Sequence, residues 1–175
     1  MTHAALPKMP NQFSAEIIRS DGNYSKIWID GFRRRVEFYN ENGIQSIVIS
    51  RPDKGVLWSF VLPDCKVVQE LPLKNEPIEG SFDPTTFLKW TQEGIDLIDG
   101  HECLRFIGRY NIPDVPAEEA YELAYIDLAT NMYRRVITYN KLGRQSLIVD
   151  YRSVILEPPD KLVFELPEGV LVEEF

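Results

Sequence analysis

The pattern Arg-Arg-Val-x-x-Tyr-Asn-x-x-Gly-x-Gln-Ser runs from Arg34 to Ser46 and again from Arg134 to Ser146. Apolar triplets follow both copies in register, Ile47-Val48-Ile49 and Leu147-Ile148-Val149. A weaker echo links Val68-Gln69-Glu70-Leu71-Pro72 with Val163-Phe164-Glu165-Leu166-Pro167. Self-similarity of this kind marks one supersecondary unit used twice. Asn-x-x-Gly between two β-branched, alternating runs is hairpin chemistry. The repeat carries no group suited to catalysis, so it constrains architecture before function.

Period-2 alternation extends this reading along the chain. It predicts strands over 13–19, 25–29, 33–39, 45–50, 57–62 and 66–70. A second series follows over 101–110, 121–127, 133–139, 145–157 and 162–166. The middle differs: Asp83-Pro84 is a helix start, with Asp as N-cap and Pro at the first helical position. The spacing predicts a short helix over 83–92, inside an insert of about 83–93, with Phe87, Leu88 and Trp90 as its apolar face. Halves of about 12–73 and 95–170 flank it, and no linker separates them into domains. The expected fold is mainly β (α+β) and a single domain over 1–175. It is a single curled antiparallel sheet forming an unclosed β-barrel under a short helical lid, built from two similar meander halves.

At 175 residues with 44% hydrophobic and 11% aromatic content the chain supports a substantial core. Its net charge of −8 argues against nucleic acid and against a basic patch docking on anionic lipid. No apolar run reaches membrane-spanning length. Thr2-His3-Ala4-Ala5 is compatible with the remnant of a trimmed signal peptide. Two cysteines, Cys65 and Cys103, fit no metal spacing; they form either a disulfide or two free thiols. With two histidines, His3 and His101, neither a metal site nor a Ser/His/Asp triad is expected. The expectation is no catalytic residue, no metal and no cofactor.

The strand aromatics Trp28, Phe38, Trp58, Phe60, Phe106, Tyr125 and Phe164 either fill a packed core or line a cavity for an apolar ligand. Arg35 is either a solvated strand residue or an inward arginine bonding carbonyls of a covering segment, a lid contact shared with Phe87 and Trp90. Arg135 reads as solvated beside acids.

Several segments in order carry a resemblance over nearly the whole chain. They are Leu6-Pro-Lys-Met-Pro-Asn-Gln-Phe13, Lys26-Ile-Trp-Ile-Asp-Gly-Phe-Arg-Arg-Arg35-Val-Glu37 and Ile49-Ser-Arg-Pro-Asp53-Lys-Gly-Val-Leu-Trp58-Ser-Phe-Val-Leu-Pro63. Gly94-Ile-Asp-Leu-Ile-Asp-Gly100-His-Glu-Cys103 and Leu162-Val-Phe164-Glu-Leu-Pro167-Glu-Gly169 complete the set. Together they resemble the LolA/LolB-like superfamily, including its outer-membrane-lipoprotein-sorting-like and DUF4412-like periplasmic members. The resemblance implies an unclosed barrel of about eleven strands with a helical lid, and an apolar cavity that takes acyl chains. It places Arg35 where carriers hold the lid with an arginine, and matches Trp58 to the tryptophan of their next strand pair. It thereby implies a monomeric, non-enzymatic periplasmic carrier of a hydrophobic ligand or lipoprotein acyl chain, a cytoplasmic location staying open. The alternative it leaves is an interaction module or cell-envelope sensor with an envelope protein partner.

Overall fold

The computed structural model describes residues 6–61, 67–72, 88–110 and 120–174. Twelve strands are present among the described residues: β1 Gln12–Arg19, β2 Tyr24–Asp30, β3 Arg33–Asn40, β4 Gly43–Arg51, β5 Val56–Val61 and β6 Val67–Pro72. They continue with β7 Leu88–Ile98, β8 His101–Tyr110, β9 Tyr121–Asp127, β10 Tyr133–Tyr139, β11 Gln145–Ile155 and β12 Leu171–Glu174. A 3-10 turn, Lys161–Phe164, is the helical element among the described residues. The strand order is β12-β6-β5-β4-β3-β2-β1-β11-β10-β9-β8-β7, open at β12 and β7. The mainly β, unclosed antiparallel class is therefore what forms. One pairing departs from it, since β12 runs parallel to β6.

Two expectations need correction. Residues 88–92, assigned to a helix, are the start of β7, paired with β8 from Leu88↔Tyr110 to Gln92↔Phe106. The Asp83-Pro84 cap and Phe87 lie outside the described residues. Trp90 is thus a strand residue, because its alternation against β8 outweighs a local helix signal. Residues 162–166, read as a strand, instead hold the end of the 3-10 turn. Asp160 caps that turn, its Oδ1 accepting the Leu162 N–H at 2.9 Å, as short acidic side chains do at turn starts.

The chain divides into two compact units, one of residues 11–18, 22–77 and 152–175, the other of residues 1–10, 19–21 and 78–151. In the first unit, β1 shows strict alternation, with Phe13, Ala15 and Ile17 at 2–4% exposure. A cluster of Ile47, Ile49, Trp58, Phe60 and Phe164 forms on β4, β5 and the 3-10 turn. In the second unit Trp90, Phe106, Ala124, Ile126, Tyr133 and Val136 form a separate cluster, joined by Leu6 and Met9. Trp90 lies flat over Gly108, where an added Cβ would sit 2.8 Å from the indole ring.

The repeat builds β3–β4 and β10–β11. Asn40 Oδ1 accepts the Asn42 N–H at 2.8 Å, and Asn140 Oδ1 accepts those of Leu142 at 2.9 Å and Arg144 at 3.1 Å. Gly43 and Gly143 take φ of 112° and 68°, which side chains disfavour. The pairing nevertheless differs by one residue. Arg35 lies opposite Ile49, whereas Arg135 lies opposite Asp150. Equal sequence therefore gives the two arginines unequal neighbours.

Candidate functional site

Residues directly opposite in an antiparallel pair share a face. Pairing Trp28↔Arg35↔Ile49↔Trp58 gives one row across β2 to β5, and Lys26↔Glu37↔Ile47↔Phe60 gives the next. Their apolar members form a platform on which Phe164, fully buried, is seated; Trp28, Val56, Val163 and Leu166 pack around it. The sequence supplies this platform by alternating Ile47, Ile49 and Arg51 on one face of β4.

Arginines fasten the segment that carries Phe164. Arg35 Nη1 donates to the Val163 carbonyl at 2.9 Å, while its Nε donates to Glu37 Oε1 at 2.8 Å. Its guanidinium also lies 6.0 Å from the Trp28 ring centroid, a cation–π arrangement. Arg51, 5% exposed, donates through Nη1 to the Phe164 carbonyl at 3.2 Å and to Glu165 Oε1. Its other nitrogens grip Asp53 bidentately, both at 2.8 Å. Lys54 Nζ completes the clamp at 2.9 Å from Glu165 Oε2 and lies 5.6 Å from the Trp58 ring centroid.

The charge states follow from these contacts. The Arg51 hydrogen bonds hold Asp53 down at about 2, well below its ordinary value. Lys54 first, then Arg51, lowers Glu165. Hydrogen bonding to Asp53 raises Arg51 in turn, so the clamp is ionised at neutral pH. Trp58 Nε1 is buried without an acceptor among the described residues. Such an N–H costs stability unless something accepts it.

The aromatics singled out in the sequence divide among several places. Trp28, Trp58, Phe60 and Phe164 come together at the platform. Phe38 pairs with Ser25 and Ser46, which places it on the opposite face, 37% exposed. Phe106 and Trp90 belong to the second unit's core. Tyr125 lies on that unit's other face, between Arg105 and Arg135. Arg35 donates to the Val163 main-chain carbonyl of the 3-10 turn; Phe87 lies outside the described residues. Arg135 is bound to Asp150, at 2.6 Å through Nε, rather than simply solvated.

Arg51, Lys54 and Glu165 were not singled out from the sequence. Extending the alternation of Ile47 and Ile49 by one step would have placed Arg51 on the buried face.

A second polar cluster lies in the other unit. His101 Nδ1 is 2.9 Å from Asp127 Oδ2, to which Arg134 Nε also donates at 3.0 Å. Burial alone would raise Asp127, but Arg134 and the Ala129 and Thr130 amides hold it below its ordinary value. Cys103 is a free thiol, fully buried. Burial pushes it upward, and it donates to the His101 carbonyl at 3.5 Å. A protonated, enclosed thiol is a poor nucleophile. This cluster caps the turn between β9 and β10. Cys65 lies outside the described residues.

No family model and no curated protein matches the sequence. Solved structures do. An uncharacterized conserved protein from Thermus thermophilus aligns with a TM-score of 0.68 at 10% identity, over 94% of this chain and 91% of that one. A chain of the complex structure of Pseudomonas aeruginosa MucA/MucB aligns at 0.60 and 12% identity. That match covers 93% of this chain but 58% of the other, so this chain spans little more than half its length. The Mycobacterium tuberculosis lipoprotein LppX aligns at 0.50 and 9% identity, over 86% and 89%. The chain shares its fold with these proteins.

Proposed function

We propose that this protein is a non-enzymatic binder of a hydrophobic group, in the first place the acyl chain of a lipid or lipoprotein, and that it works in the periplasm. The observation that carries this reading is Phe164. A wholly buried aromatic sits on an apolar platform, yet the segment presenting it is held by polar contacts from Arg35, Arg51 and Lys54. Of these contacts, the one between Lys54 and Glu165 is open to water and exchanges with it at small net cost, whereas an apolar platform must stay covered. A cover of this kind suits a site that is closed when empty and opened by a ligand. Trp28, Trp58 and Phe60 line it, Phe164 is the cover, and Arg35 and Arg51 are the latches.

A test is titration of the full chain with a fatty acid bearing an environment-sensitive fluorophore. Saturable uptake is expected, tighter by about tenfold in Phe164→Ala, where the competing side chain is gone, an advantage of about 1.4 kcal/mol. Linear, unsaturated partitioning in both proteins would sink the proposal.

The second reading is an envelope-protein binder. The alignment with a chain of the MucA/MucB complex favours it at the level of fold.

A further inference from the structure

The face of β1 to β5 that lies opposite the platform carries two polar residues side by side in an apolar setting. Pairing Phe13↔Ile29↔Arg34↔Ser50↔Leu57 gives one row across these strands. Val36 and Val48 stand in the next row, and Phe38 and Val61 in the one after. Directly paired residues have Cβ atoms about 4.5–5.5 Å apart, so Arg34 and Ser50 rise from the sheet as neighbours. Ser50 is 3% exposed, and its Oγ has no hydrogen-bond partner among the described residues. A buried hydroxyl in that state costs stability until a partner reaches it. Burial lowers Arg34 from its ordinary value, yet a guanidinium stays protonated at neutral pH. The residues paired with Arg34 are Ile29 and Ser50, neither of them acidic. Arg134, its equivalent in the second copy of the repeat, donates instead to the buried carboxylate of Asp127.

We propose that Arg34 and Ser50 form a carboxylate site whose ligand is a free medium-chain fatty acid, its ionised head at these two residues and its tail along β3 and β4 toward Phe38 and Val61. Charge complementarity selects the head. One guanidinium and one hydroxyl match the two oxygens of a monoanion, whereas a phosphate dianion with three oxygens asks for more donors. The chain's net charge of −8 disfavours multiply charged ligands further.

The tail has an apolar track that opens away from the head. Ile29, Arg34, Val48 and Leu57 are half-buried, while Phe38 is 37% and Val61 56% exposed. Four residues along β3 separate Arg34 from Phe38, about 13 Å at strand spacing, which a medium-length acyl chain spans. Covering Phe38, Val48 and Val61 takes apolar surface out of water, so the tail adds affinity without needing a polar partner. The site is separate from the platform of the proposed function. Arg34 and Arg35 are successive strand residues and point to opposite faces. Arg35 serves the platform, and Arg34 the carboxylate.

The probes are decanoate and decanol, titrated calorimetrically into the full chain at neutral pH. They share a tail and differ in the charge of the head. Saturable decanoate binding is expected, about tenfold tighter than decanol, on the scale of a charge-assisted hydrogen-bonded pair. Arg34→Met should remove that preference. Ser50→Ala should weaken decanoate about threefold and spare decanol. If Arg34→Met does not fold, Arg34→Lys keeps the charge without the planar fork and should cut the preference severalfold. Amide NMR shifts locate the ligand, and decanoate should move Val36, Val48 and Ser50. Equal affinity for the two probes overturns the inference, as does a preference that survives undiminished in a folded Arg34 variant. Tighter binding of decyl phosphate than of decanoate overturns the assignment of the head. Decanoate that shifts only Val163, Phe164 and Glu165 overturns the inference while leaving the proposed function standing. Shifts confined to Val36, Val48 and Ser50 support it and count against the platform.

Discussion

Arg51 is the residue on which the cover depends most. It is nearly fully buried and serves Asp53, Glu165 and the Phe164 carbonyl at once. Arg51→Met preserves much of the volume but removes the main donor to Asp53, one of two donors to Glu165, and the donor to the Phe164 carbonyl. Asp53 and Glu165 are about 40% exposed, so water re-solvates them and the cost is moderate, about 2 kcal/mol. Thermal unfolding should show a fall in Tm of about 6 °C, as expected for a chain of this size. Gly108 gives a contrasting prediction. A methyl there meets the Trp90 ring at 2.8 Å, so Gly108→Ala should overpack the second unit's core and cost about 1–3 kcal/mol in denaturant unfolding.

The same residues set a pH dependence. Asp53 has a lowered folded value, about 2 against an ordinary 3.8, and Glu165 is lowered as well. A depressed carboxylate contributes stability above its unfolded value and loses it as pH falls through the folded one. The clamp should thus be intact at neutral pH and weaken between about pH 4 and pH 2, again on the scale of those two carboxylates. Tryptophan fluorescence from Trp28 and Trp58 reports it, and Asp53→Asn should flatten that part of the titration. An unchanged titration in Asp53→Asn would show that another group governs the transition.

At the scale of elements, the hairpins were legible because their turn chemistry is local. Asn40, Gly43, Asn140 and Gly143 specify the turns by side-chain capping and positive φ, and both effects act within four residues. The one-residue difference in pairing was not legible, since it arises from the longer turn at Asn140–Arg144, where Asn140 N–H bonds the Arg144 carbonyl. That difference gives Arg135 an acid opposite and leaves Arg35 free to reach Val163. The 83–92 region misled for a physical reason: an N-cap signal at Asp83 says where a helix can start, not whether Trp90 will be claimed by pairing with β8. Residues 162–166 misled because Val163-Phe164 alternates like a strand, while Asp160 caps a turn. The platform aromatics were legible as apolar strand residues. Their grouping required the register, which is why Phe38 was placed with Trp28 although it lies on the other face. For the same reason hydrogen exchange is informative here. The amides of the 3-10 turn should exchange at least tenfold faster than those in the middle of β3 and β4, because undocking exposes them without global unfolding.

At the scale of the whole molecule, each compact unit has its own apolar cluster, and among the described residues the platform cluster alone is closed by a segment held through arginines. The functional reading rests on that contrast. Trp90, Phe106 and Ala124 pack against one another and Gly108, whereas Trp28, Trp58 and Phe60 are covered by Phe164, which the proposed function takes to be exchangeable. The central claim is that a hydrophobic ligand takes the place of Phe164. Hydrogen exchange at Val163, Phe164 and Glu165, measured in the unaltered protein before and after saturation with a fatty acid, tests it most directly. Loss of protection at these three amides, with β3 and β4 unchanged, is the predicted result. Saturable binding that leaves all three as protected as before would place the ligand elsewhere and contradict the account.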